Sequence, residues 1–232
     1  MDQVLKSFLI VANGEFLPVE QLLLLSKDKS IVALDHACER LLDINIVPDI
    51  IVGDFDSIRD KKRFKVNSLE KGDSIFEVHI NNKTIQMVYR PDQNETDFFK
   101  AIRYIDTLGS KNIHIACALS KERLDHLINN LRALRVFYQK KRPIYFYTNK
   151  EIARYVKDET LEISGQIGSI CGILGFPKGS FSSKGLKYDG NHFPLTFGFS
   201  ESIANQLAAE KAIITIEGEA LFIQTIEKND LF

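Results

Sequence analysis

No tryptophan occurs in this sequence, and cysteine occurs three times. Cys38, Cys117 and Cys171 are odd in number and far apart, with no Cys-x-x-Cys spacing. That pattern argues against a disulfide framework and against a thiolate zinc site; buried, reduced thiols are the expectation. Charge of one sign is also missing. The 30 basic and 31 acidic residues leave a formal net charge of -1, so no general field favours nucleic acid or an anionic membrane, and neither is expected as a partner. No apolar stretch approaches the length of a membrane span. The apolar run from Phe8 to Ala12 is too short for the hydrophobic region of a secretory signal. A soluble cytoplasmic protein is expected.

What is present is enough apolar material for real cores, 44% of 232 residues, in a chain long enough for one large or two modest domains. Up to about residue 140, strand-like and helix-like signals alternate, which predicts an α/β domain with a mostly parallel sheet. Buried strands are expected at Ser7–Ala12, Ser30–Leu34, Asp49–Val52 and Asn112–Ala118, and helices at Val19–Ser26 and His36–Asn45. Asp60–Lys71 reads as a charged surface helix or loop. Ile75–Ile80 and Thr84–Tyr89 alternate apolar and polar residues around Asn81-Asn82, a hairpin signal. Phe98, Ile102, Ile105 and Leu108 recur at helical spacing before a capping Gly109. A further helix opens at Arg123, with a core stripe of Leu124, Leu127, Ile128, Leu131 and Leu134. After Lys140-Lys141-Arg142-Pro143 the pattern becomes short β-type runs punctuated by glycine, which predicts a small all-β sandwich or barrel. The boundary is expected near residue 145, giving domains 1–145 and 146–232.

The stretch from Val52 to Ser57 carries the first chemical signal. Gly53 ends an apolar strand, and Asp54 and Asp56 follow with one aromatic between them. Two close carboxylates with no base beside them repel each other unless a cation intervenes, and hard oxygen ligands of this kind suit Mg2+ held together with substrate phosphates. The same residues also suit a plain capped turn, with Asp56 or Ser57 as N-cap. Arg90 to Asp97 places Asp92, Gln93, Thr96 and Asp97 at a helix start, where acids are common and where the positive helix end also favours anions. Arg123, Asp125 and His126 cluster after another strand; a guanidinium there is suited to a phosphoryl group, although His126 also fits an ordinary helix surface. The acids Asp35, Asp54, Asp56, Asp92 and Asp97 follow different strands, and in a doubly wound sheet such strand ends converge on one cleft. With one Arg nearby, this reads as a metal-bridged polyphosphate site. Paired carboxylates also serve glycosidases, but no tryptophan is available for stacking on a sugar.

Taken in order, these segments resemble the thiamine pyrophosphokinase (thiamine diphosphokinase) family. The resemblance rests on Leu34-Asp35, on Pro48-Asp49 through Gly53-Asp-Phe-Asp-Ser57, on Asp92-Gln93 with Thr96-Asp97-Phe98, and on Arg123-Leu-Asp-His126. It continues in the β-rich part with Gly185-Leu-Lys-Tyr188, Phe197-Gly198 and Ser202 to Asn205. It implies a Rossmann-like, mostly parallel catalytic domain, a C-terminal β-sandwich, and a homodimer with thiamine bound between subunits. It also implies pyrophosphoryl transfer from ATP to the thiamine hydroxyl with release of AMP. Carried over residue by residue, Asp54, Asp56 and Asp97 are the expected Mg2+ ligands, with Asp92 and Gln93 beside them. Arg123, Asp125 and His126 are expected in the nucleotide and phosphate region, together with Asp35 and Thr96 as substrate-binding residues. Tyr188, Ser202 and Asn205 are expected on the thiamine side. The chain departs from the family's pattern at Lys121-Glu122, where two glycines are usual, and at His36-Ala37. Ser202-Ile203-Ala204-Asn205 replaces Ser-Thr-Ser-Asn, and Tyr188 stands for a frequent Trp. Two other readings stay open on the residues: the same chemistry on another hydroxymethyl acceptor such as a pterin, and a non-catalytic nucleotide- or thiamine-binding protein.

Overall fold

A computed structural model describes residues 5–67, 69, 72–120 and 123–226. The chain forms two compact units, Met1–Pro143 and Ile144–Phe232.

Unit 1 contains β1 (Lys6–Val11), α1 (Val19–Ser26), β2 (Ser30–Leu34), α2 (Ala37–Asp43), β3 (Ile50–Gly53), β4 (Ser74–Ile80), β5 (Lys83–Tyr89), α3 (Asp97–Leu108), β6 (Ser110–Ala116) and α4 (Leu124–Val136). Its strands lie in the order β6-β1-β2-β3-β5-β4. All pair in parallel except the β4–β5 hairpin, which is antiparallel. The sheet is therefore mixed, with helices. The parallel strands read as continuous apolar runs because both faces are covered: Ile10, Val11, Val32, Ala33, Ile51 and Val52 are all fully buried. The hairpin turns at Asn81 and Asn82, both at positive φ (51° and 60°), the backbone that two-residue hairpin loops require. Register decides what matters for function. Val11 pairs with Ala33 and with Ala116, Leu34 with Val52, and Gly53 with Tyr89. The carboxyl ends of five strands thus line up along one edge, and the segments leaving them are neighbours.

Two expectations need correction. The stripe on α4 is not core over most of its length: Leu124 is 68% and Ile128 59% exposed, and burial within the helix begins at Ala133 and Leu134. Spacing defines an apolar face but cannot say whether this chain covers it. The segment after residue 60 is more than charged surface. Its described residues form turns, as a loop would, yet Phe64 is completely buried and anchors the segment on the core. Ser68, Glu70 and Lys71 of that reading lie outside the described residues.

Unit 2 contains β7 (Ile144–Tyr147), β8 (Glu151–Ser164), β9 (Ile170–Lys184), β10 (Phe193–Thr196), β11 (Ser202–Gln206) and β12 (Lys211–Thr225). The order is β10-β9-β12-β8-β7, with β11 pairing β9, and every pairing is antiparallel. The short apolar runs after residue 150 are parts of three long strands, β8, β9 and β12, whereas β7 is a separate strand of four residues. Register shifts at Ile216/Glu219 and Gly218/Ala220 break β12, and Gly218 (φ 82°) sits there because a Cβ would fall 3.0 Å from Lys178 O. The core gathers Val156, Leu161, Ile173, Phe181, Leu195, Ile214 and Phe222. All three cysteines are free and buried. No helix among the described residues is long and apolar enough to cross a membrane.

Candidate active site

At the carboxyl edge of the parallel strands unit 1 holds a cleft of about 470 Å3, lined from the ends of β1, β2, β3 and β6 and from α3 and α4. The loop after β3 is its most tightly determined part. Phe55 takes the left-handed backbone (φ 60°) and buries its ring against Tyr89 and Phe76, at centroid distances of 5.6 and 6.5 Å. Burying the aromatic turns its two flanking acids outward together. Asp35, the residue after β2, reaches into the same loop: Phe55 N–H donates to its Oδ1 at 2.9 Å and the Ser57 hydroxyl to its Oδ2 at 3.1 Å. Gly53 is required because a Cβ there would overlap the Asp35 carboxylate. Glu39 on α2 holds the loop's far end, accepting from the Arg59 and Asp60 backbone N–H groups at 3.1 and 2.9 Å.

Asp35, Asp54 and Asp56 can each offer a carboxylate oxygen within 4.8 Å of the other two. Asp35 is 8% exposed; burial, then the nearby charges of Asp97 and Asp54, push its carboxyl up to about 7 against the hydrogen bonds that favour ionisation. Burial also raises Asp97, with the Lys100 ammonium opposing it. Burial acts on Asp54 in the same sense, but the Gln93 amide, the Asp56 N–H and Lys100 outweigh it and hold the group below its ordinary value. Asp56 is raised, first by burial and then by Asp54. Such an arrangement of crowded hard oxygens, whose negative charges disfavour one another, fits a divalent cation.

The remaining residues singled out in the sequence divide into groups. Gln93, Thr96, Asp97 and His126 line the cleft. Gln93 Nε2 donates to Asp54 Oδ2 at 2.6 Å, and Asp97 opens α3 after Thr96 at the N-cap. Asp92 stands apart from the carboxylate group and accepts from the backbone and side chain of Asn94. Arg123 and Asp125 are exposed and pair with each other at 3.0 and 2.7 Å, which lowers Asp125 to about 2; neither lines the cleft. Lys121 and Glu122 lie outside the described residues. In unit 2, Tyr188 is 64% exposed, whereas Asn205 is 1% exposed. Asn205 spends all its polar capacity within the chain: Oδ1 accepts from Tyr188 N and Gln206 N, while Nδ2 donates to Tyr188 O and Ser202 Oγ. It staples β11 to the segment that carries Tyr188.

Several lining residues escaped the sequence reading. Asn13 and Gly14 follow β1 as Asp35 follows β2, so the strand-end argument reaches them too. Gly14 N–H donates to Cys117 O at 2.7 Å, and a Cβ at Gly14 would lie 2.6 Å from that oxygen. Arg40 braces the same turn through Asn13 Oδ1 and Gly14 O. Asn130 donates to Ala118 O at 3.0 Å. Lys100, 7% exposed, pairs with Asp97 at 2.8 Å; its one signal was a spacing of three from Asp97 on the predicted helix.

The family model "Thiamin pyrophosphokinase, catalytic domain" matches residues 22–146, and "Thiamin pyrophosphokinase, vitamin B1 binding domain" matches residues 158–221. Thiamin pyrophosphokinase 1 of Caenorhabditis elegans is 27% identical over 216 residues, covering 87% of this chain and 81% of that protein. Thiamine pyrophosphokinase 2 of Arabidopsis thaliana is 31% identical over 189 residues, 77% of this chain and 65% of its own. A crystal structure of thiamine pyrophosphokinase from Bacillus subtilis superposes with a TM-score of 0.77 at 20% identity, covering 96% of this chain and all of that one, a likeness of fold. With one family model spanning more than half of the sequence and a second spanning most of the rest, the chain belongs to the thiamin pyrophosphokinase family of enzymes.

Proposed function

We propose that this protein transfers the pyrophosphoryl group of ATP to the hydroxyl of thiamine, giving thiamine diphosphate and AMP. The observation that carries the reading is the convergence of the Asp35, Asp54 and Asp56 carboxylates at a polar cleft that Asp35, Asp54 and Asp97 line. Asp54, Asp56 and Asp97 would hold Mg2+, with Asp92 at the margin; the bound ion supplies charge neutralisation on the triphosphate. Asp35 fixes the acid-bearing loop through Phe55 and Ser57. Asn13, Gly14 and Ser120 also line the cleft. His126 and Thr96 face the nucleotide, and Arg123 and Asp125 lie just beyond it, where the guanidinium can exchange Asp125 for phosphate.

In the reaction the thiamine oxygen bonds to the β-phosphorus as the bond from that phosphorus to the α,β-bridging oxygen breaks. AMP leaves with the bridging oxygen, and the alcohol proton passes to an acid of the site. Phosphoryl chemistry of this kind is catalysed mainly by positioning and by charge stabilisation, and the pinned loop supports both.

The same reading makes unit 1 a Rossmann-like catalytic domain and unit 2 a β-sandwich that binds thiamine, with the boundary near residue 145. Tyr188 would stack on a thiamine ring, and Ser202 would lie beside it. A cytoplasmic homodimer with its active site at the subunit interface completes the reading. The decisive experiment measures AMP release from ATP and Mg2+ with thiamine present, omitted, or replaced by a hydroxymethyl pterin. Thiamine-dependent AMP release is expected. Release that depends on the pterin instead, or saturable ATP binding with no AMP under any acceptor, would overturn the assignment.

A further inference from the structure

Lys100 is the one lysine or arginine lining the cleft among the described residues. Its side chain is 6% exposed, sits on α3 between Phe99 and Ala101, both buried, and makes its ion pair with an acid of the cation site. A buried ammonium is costly to keep unless it is paired. Pairing alone does not explain its place, because a neutral side chain at this position would leave the acids free for a cation and avoid burying a charge. Glu95, another lining acid, is already engaged by Arg103 through three hydrogen bonds of 2.7–2.9 Å, so the free negative charge of the cleft is concentrated on the aspartates beside Lys100.

We infer that Lys100 is an exchangeable counter-ion: it occupies Asp97 in the ligand-free protein, and releases that carboxylate to contact the triphosphate when cation and nucleotide enter. This rests on the proposed function and deepens it by giving the same site a residue that both weakens premature cation binding and contacts phosphate. The side chain suits the exchange. An ammonium on a flexible four-carbon stem re-aims its three donors by rotation, whereas a planar guanidinium fork favours the carboxylate it already grips. Lys100 holds Asp97 oriented without a cation and offsets the repulsion among Asp35, Asp54 and Asp97. Once the carboxylate is shared with a cation, the ammonium's strongest remaining acceptor in the cleft is a phosphate oxygen, and such a charge acts most strongly where water is excluded.

The test compares the full-length wild type with Lys100→Met and Lys100→Arg. Mn2+ binding to the nucleotide-free protein is read by electron paramagnetic resonance of free Mn2+, and AMP release is read with Mg2+, ATP and thiamine. Lys100→Met should bind Mn2+ roughly threefold to tenfold more tightly without nucleotide, because a nearby positive charge is gone. Its AMP release should fall by about 100-fold. Lys100→Arg should return Mn2+ affinity to the wild-type value and recover only part of the turnover. If Lys100→Met does not fold, Lys100→Gln carries the same expectations. Mn2+ affinity that is unchanged or weaker in the neutral variants would make Lys100 a passive brace for Asp97 and overturn the inference, as would unchanged turnover. A wild type that neither binds Mn2+ nor releases AMP removes the cation-site reading and this inference together; a wild type that does both, with variants identical to it, removes this inference alone.

Discussion

The loop after β3 and the segment entering α4 both leave parallel strands at the same sheet edge, and both carry acids that the sequence marks out. They are built in opposite ways. Phe55 is buried, Asp35 ties down both Phe55 and Ser57, and Gly53 leaves room for that carboxylate. Arg123 and Asp125, by contrast, are exposed and pair their side chains with each other, on a helix whose first turns are uncovered. A pinned loop has its geometry before any ligand arrives, and its charges repel each other until a cation comes. An exposed ion pair has its charges satisfied and its geometry unfixed. Under the proposed function, the first would hold the reacting groups in place and the second would close on a phosphate once one is bound.

Substitutions can break or sharpen that contrast. The largest effect is expected for Asp54→Asn or Asp97→Asn, each lowering AMP formation by about 10^2–10^3-fold with the thermal melt retained; near-normal turnover in both would remove the cation-site assignment. Next is Gly53→Ala, which forces a Cβ into the space of the Asp35 carboxylate. It should cost roughly 1–3 kcal/mol of stability in chemical denaturation and about 10^2-fold in turnover through displacement of the loop. In unit 2, Asn205→Ala should cost roughly 1–3 kcal/mol, since it removes the side-chain partners of the Tyr188 amide and carbonyl, and should raise the KM for thiamine while leaving the KM for ATP alone. Equal changes in both constants would show that the staple does not act on the acceptor side.

Asp35 offers a pH test of the pinned loop. Its carboxyl is raised to about 7 in the folded protein from an ordinary value of 3.8. The folded state therefore binds the proton more tightly, and this contribution to stability is full below pH 4 and is lost as pH rises through 7. Cation-free protein should lose stability across that window with a slope of at most about 1.4 kcal/mol per pH unit from this group. Asp35→Asn should flatten the slope, and saturating Mg2+ should do the same for the wild type; pH-dependent denaturation melts with and without Mg2+ check both. The smallest effect belongs to the exposed segment. Arg123→Ala should leave the melting temperature unchanged and raise the KM for ATP about tenfold, the order expected for one charge-assisted phosphate contact. A fall in stability comparable to that of Gly53→Ala would erase the contrast.

Much of this was legible in the residues. Val19–Ser26 and Ser30–Leu34 match their sequence boundaries, because apolar runs bounded by polar or turn residues are local signals. The hairpin at Asn81-Asn82 and the cap at Gly109 (φ 74°) were equally local. The strand-end argument brought Asp35, Asp54 and Asp97 to one place, since parallel register sends successive loops to one edge. What stayed hidden depended on partners distant in sequence. Leu124 and Ile128 have the spacing of core residues and remain exposed. Lys100 has the character of a surface residue and is buried by its pair. Asn205 had the look of a ligand contact, and its hydrogen bonds are all internal.

The sequence by itself determined the family and the order of elements in unit 1, and it singled out the acids Asp54, Asp56 and Asp97, because these rest on periodicity and on motifs read within a few residues. Only the tertiary structure decided how those acids are held. It put Asp35 beneath the loop, gave Gly53 its reason, lodged Lys100 against Asp97, and turned Arg123 toward Asp125. Each of these depends on which groups meet when water is excluded, and burial sets the strength of every charge and hydrogen bond involved.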